Sequence, residues 1–134
     1  MATTTATLTL SSADLTGDAL ALTTTTTLAK AGTATGMSET SGVGRKTTAA
    51  TTQYTLFDGN DYAANGAHKV YLKNTSTTTS EYFVLTISGE EIGRLYSGDW
   101  AFLPWGAHDT DNDIKITPSV ATSMTLEYML ISQA

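Results

Sequence analysis

At 134 residues, with a formal charge of −6, 15 % charged residues and no cysteine, the chain has the size of one domain with one core. Its acidic balance argues against a phosphate-tracking nucleic-acid surface, which needs clustered Lys and Arg. The lack of cysteine excludes disulfides, thiolate nucleophiles and Cys-ligated zinc.

Polarity is carried mainly by hydroxyls, since 28 residues are threonine. Threonine is β-branched and loses rotamer freedom in a helix, but it suits a pleated sheet and hydrogen-bonds across strands. No run of 18 apolar residues occurs, and the start Met1-Ala2-Thr3 opens neither a basic nor an apolar leader. A soluble chain without membrane span or export signal is therefore expected.

In chain order, Leu8 and Leu10 alternate with threonines, and Leu20, Leu22, Thr24, Thr26 and Leu28 keep a period of two. Two strands follow from that spacing, joined by a connector that Gly17 keeps short. From Lys30 to Lys46 glycines are frequent and large apolar groups few, too few to fix a conformation alone. All eleven aromatic residues come at or after Tyr54. The chain thus divides into a lean, partly extended arm over 1–52 and a β-core over 53–134.

In that core Tyr54 to Phe57 forms a strand, and the turn signal Asn65-Gly66 points to a hairpin into His68 to Lys73. Glu81 to Ile87 is nearly continuous in apolar residues and should be a central strand covered on both faces. Turns at Ser88-Gly89 and Ser97-Gly98 lead into Ile92 to Tyr96 and Trp100 to Trp105, and Pro104 marks an edge or a strand end. Ile114 to Ile116 and Met124 to Ile131 complete the set. About eight short strands at roughly ten-residue spacing, without a convincing helix, predict an all-β, antiparallel sandwich or jelly roll.

Groups able to carry chemistry are few. His68 and His108 fall in turn-rich stretches, with no nucleophile elbow or phosphate-cradling loop beside them, so exposed or hydrogen-bonded loop histidines are expected rather than catalytic ones. No catalytic residue, cofactor or enzymatic activity is expected. Asp109, Asp111 and Asp113 alternate like the opening of a calcium loop, with Asp58, Asn60 and Asp61 as further oxygens if the two loops adjoin. Ile114 and Val120 stand where such a loop needs Gly and Glu, so a plain turn is the stronger reading and any cation would be structural. Trp100, Phe102 and Trp105 suit core or subunit-interface anchors, and Arg45 and Met37 are interface candidates from the arm. The aromatics alternatively suit a sugar-binding site built on Trp100 and Trp105.

The stretches Val70-Tyr71-Leu72-Lys73-Asn74-Thr75-Ser76, Ser80 to Leu85, and Gly93-Arg94-Leu95-Tyr96-Ser97-Gly98-Asp99-Trp100 through Pro104-Trp105 together resemble a pattern in small virion proteins of tailed bacteriophages. The likeness covers about a third of the chain. It implies a capsid decoration, or cement, protein: a β-sandwich or jelly-roll subunit, commonly trimeric, on the virion surface after synthesis in the host cytoplasm. The implied partners are the major capsid protein and further copies of the chain, with neither nucleic acid nor membrane. A tail, fibre or adaptor component is the alternative within the same class.

Overall fold

A computed structural model describes residues 3–108 and 110–134. They form eleven strands: β1 (Thr5–Ser12), β2 (Leu20–Thr27), β3 (Glu39–Thr40), β4 (Gly44–Thr48), β5 (Tyr54–Phe57), β6 (His68–Asn74), β7 (Tyr82–Ile87), β8 (Glu90–Tyr96), β9 (Trp100–Trp105), β10 (Ile114–Pro118) and β11 (Met124–Ser132). Single 3-10 turns lie at Gly59–Asp61 and Thr110–Asn112, and no α-helix occurs among the described residues. The chain divides into two compact units, the first ending at Ser38 and the second starting at Glu39.

The second unit contains two antiparallel sheets. One runs β5–β10–β7–β8; the other runs β4–β11–β6–β9, with β3 pairing beside β4 along the same edge of β11. Numbering β4 to β11 as eight consecutive strands, the first, eighth, third and sixth share one sheet. The second, seventh, fourth and fifth share the other. This is the strand order of an eight-strand jelly roll.

Period-two alternation drives the packing. On β6, His68, Val70, Leu72 and Asn74 are buried while Lys69, Tyr71 and Lys73 point outward. Leu126 and Leu130 of β11 and Trp105 of β9 add to that inner face; Phe57, Phe83, Leu85, Leu95, Ile114 and Ile116 answer from the opposite sheet. The apolar β7 is an inner strand, flanked by β10 and β8. Its connection to β8 is a two-residue turn with Ser88 at φ 55° and Gly89 at φ 76°. Left-handed geometry at both positions matches strand twist. Pro104 lies on β9, an edge strand whose only partner among the described residues is β6, where a missing donor costs least.

Two expectations meet a different outcome. The Asn65-Gly66 turn does not close a hairpin, because β5 and β6 belong to different sheets. Asn65 supplies the left-handed residue at φ 61°, while Gly66 leaves room: a Cβ there would lie 2.3 Å from His68 Nε2. Nor does residue 52 end an extended arm, since β3 and β4 are already strands of the second sheet. Pairing with β11 orders this apolar-poor stretch. The Thr47 and Thr125 hydroxyls bond at 3.0 Å, the Ser41 hydroxyl accepts from Leu130 N at 2.9 Å, and Gly44 lies where any Cβ would meet the Tyr128 ring at 2.8 Å.

The first unit is organised around the antiparallel pair β1–β2. Thr7 and Thr25 share a hydroxyl bond of 2.9 Å, and Thr9 and Thr23 one of 3.4 Å. A tight turn over Lys30 to Thr35, with Gly32 at φ 68°, brings Met37 N to Leu28 O at 3.0 Å. Leu28 and Met37 are both buried.

Candidate functional site

Large apolar side chains stand exposed on both sheets of the sandwich, Ile92 and Tyr96 on β8 and Trp100 and Phe102 on β9, and those on β9 belong to the outer face of the β4–β11–β6–β9 sheet. Odd-numbered residues of β6, those of β11 as far as Met129, and even-numbered residues of β9 face outward, so the register assembles two cross-strand rows. One row is Trp100, Lys73, Glu127 and Arg45; the next is Phe102, Tyr71 and Met129. Trp100 is 53 % exposed and Phe102 38 %, and a large indole left half in water is the sort of feature that marks an interaction surface.

Electrostatics organises the first row. Glu127 accepts from Arg45 Nη2 at 3.1 Å and from Tyr71 Oη at 3.1 Å. The hydrogen bond from Arg45, then that from Tyr71, holds the Glu127 carboxyl below its ordinary pKa. Burial, followed by the bond to Glu127, raises that of the Tyr71 phenol. With Lys69 and Lys73 alongside, this face carries three cationic side chains against one carboxylate, in a chain whose formal charge is −6.

The sequence-derived interface candidates therefore separate. Trp100, Phe102 and Arg45 meet on this one face. Trp105 does not join them: it is 3 % exposed, its indole N–H donates to Asn112 O at 2.7 Å, and its ring packs against Phe57, Tyr62 and His68. A sugar site built on Trp105 is thus ruled out by burial, because the odd position on β9 points into the sandwich. Met37, in the first unit, is 2 % exposed and offers no surface.

His68 is likewise buried rather than in an exposed loop, its ring held by Ala63 O at 2.8 Å and by the backbone N–H of Gln133 at 3.4 Å. Both ring nitrogens are thus engaged by backbone groups. His108 is exposed.

The two acidic loops do adjoin, as Gly59 N donates to Asp113 Oδ1 at 2.8 Å. Asp58 Oδ1 accepts from Asn60 N at 2.9 Å, so the carboxylates lock turns. Asp109 lies outside the described residues. Among those described, no three His, Cys, Asp or Glu side chains, Asp111 and Asp113 included, are grouped to hold a metal ion. One open hollow of about 290 Å³ is lined by Thr75 to Thr78, Glu81, Ser123, Met124 and Thr125. Its single carboxylate, Glu81, is taken by the Ser76 hydroxyl.

No family model, curated protein or solved structure matches this chain.

The residues missed from the sequence are Tyr71, Lys73, Glu127 and Met129. Alternation of polar and apolar side chains on β6 and β11 carried the signal that they face outward. Their meeting with Trp100 and Phe102 depends on strand order, which alternation leaves open.

Proposed function

We propose that this chain is a non-enzymatic structural protein of a tailed-bacteriophage virion, a decoration subunit that binds the capsid shell through the outer face of its second sheet. The observation that carries the reading is the pair of rows Trp100–Lys73–Glu127–Arg45 and Phe102–Tyr71–Met129 on a jelly roll. Half-exposed aromatics on its β9 edge supply anchor area, and the cations beside them steer the face toward an acidic partner. The likeness of Val70 to Trp105 to small virion proteins supports the phage assignment, and the repetition of a shell multiplies a modest contact into firm attachment.

The test is to mix the purified full-length chain with capsids of the phage that encodes it, then sediment and image the particles. Ordered density on the shell, lost in Trp100→Ala/Phe102→Ala, is expected. Particles bare of the chain at saturating concentration sink the capsid assignment, and density confined to the tail moves the chain to a fibre or adaptor role.

The exposed pair Trp100 and Phe102 also favours a second reading, a carbohydrate-binding module, because sugar rings stack on aromatic faces. A glycan array gives signal abolished by Trp100→Ala if that reading holds; a blank array at high protein concentration ends it.

A further inference from the structure

The β1–β2 ribbon is built to be completed by another chain. Its register pairs Thr5 with Thr27 and Ser12 with Leu20, and Leu28 N donates to Thr4 O at 2.8 Å. Alternate pairs of an antiparallel ladder exchange hydrogen bonds. Counting from Thr4 and Leu28, the bonded pairs are the even-numbered ones, such as Leu8 with Thr24 and Leu10 with Leu22. The odd-numbered pairs are the closely spaced, non-bonded kind, consistent with the hydroxyl contacts at Thr7–Thr25 and Thr9–Thr23. The backbone N–H and C=O groups of Thr5, Thr7, Thr9 and Ser11 therefore point out from the free edge of β1. Those of Ala21, Thr23, Thr25 and Thr27 point out from the free edge of β2. Among the described residues neither strand pairs with any other.

Such edges are usually blunted with Lys, Pro or an inward charge. Here every residue of both strands is Thr, Ser, Ala or Leu. The only charged residues between Thr3 and Ala29 are Asp14 and Asp18, and both lie in the connecting loop. One ribbon face is a row of hydroxyls, while the other carries Leu10 and Leu22 at 44 % exposure each. A two-stranded ribbon of this kind is marginal by itself in water.

We infer that the free edges of β1 and β2 pair with the same strands of further copies of this chain, joining the hairpins into one closed sheet. Charge identifies the occupant. Copies of a chain with net charge −6 repel one another on the whole, and along this ribbon two copies meet with no charge over eight residues of either strand, a longer uncharged edge than the four residues of β5 or the six of β9. Strand addition gives the contact main-chain hydrogen bonds, and the leucine stripes give it an apolar side. The inference stands whether or not the sandwich sits on a capsid.

The test is sedimentation equilibrium of the full-length chain with three variants. The wild type should form a closed oligomer of defined mass above 14.1 kDa. Thr9→Pro should raise the dissociation constant by about tenfold or more, because its N–H faces away from the hairpin and only the outward donor is lost. Thr9→Lys/Thr25→Lys should do the same by placing like charges at each edge, and high salt should restore the oligomer by screening. Leu8→Pro, which breaks a bond inside the hairpin, should abolish association without salt rescue. A monomeric wild type at all concentrations, open-ended polymer, or a Lys variant associating as tightly as wild type overturns the inference.

Discussion

Strands β1 and β6 carry the same period-two alternation and meet opposite fates. Every second residue of β6 is buried beneath a facing sheet, whereas no residue of β1 is buried. The difference lies in what stands opposite. Phe57, Phe83, Leu85 and their neighbours give β6 a second layer, and the first unit has no aromatic residue with which to build one. Alternation makes a strand, but only another apolar layer makes a core.

The contrast is tested most strongly at Phe83, fully buried between the sheets. Phe83→Ala should cost about 3–5 kcal/mol in a denaturant titration, while Leu10→Ala, at a half-exposed ribbon position, should change the same transition by under about 0.5 kcal/mol in dilute solution. Comparable losses would erase the distinction.

Next comes Asn74, which joins β6 to its surroundings. Its amide donates to Leu95 O at 3.0 Å and Glu81 O at 3.2 Å, and its Oδ1 accepts from Ser76 N at 2.9 Å. Asn74→Ala should cost about 1–3 kcal/mol by leaving these groups unpaired, measured by thermal unfolding. Gly66→Ala should cost a similar 1–3 kcal/mol or so, because its methyl group displaces the packed His68 ring. A shifted His68 imidazole resonance is the accompanying sign.

At the surface the effects shrink. Trp100→Ala should move stability by under about 1 kcal/mol while removing particle binding, as read by a melting curve beside a co-sedimentation assay. Smallest is the pH response of Glu127. Its folded pKa is depressed, so its stabilising share is complete above the unfolded value and fades as pH falls through the folded one. The melting-temperature gap between wild type and Glu127→Gln should therefore narrow in acid, and a gap that widens there would refute the assignment.

Much of the sandwich could be read from residue order alone. The strands from Tyr54 to Ile131 follow alternation and turn signals, whereas the apolar run of β7 overstates its cover, since Tyr82, Val84 and Ile87 are half-buried. Strands β3 and β4 could not be read that way, because Arg45, Lys46, Thr47 and Thr48 become a strand through the ladder with β11, a partner some eighty residues later. The outer-face site was legible in part. Trp100 and Phe102 stand out as large apolar residues, but Trp105, three residues past Phe102, has opposite facing that rests on strand phase. Tyr71 and Glu127 become site residues through cross-strand register.

Amide hydrogen exchange on the full-length chain, at low and at high protein concentration, probes both regions at once. Amides of β6, β7, β10 and β11 should be protected at every concentration, while the outward amides Thr7, Thr9, Thr23 and Thr25 should gain protection only when the chain is concentrated. Equal, concentration-independent protection of those four threonines would contradict a ribbon finished by neighbouring copies.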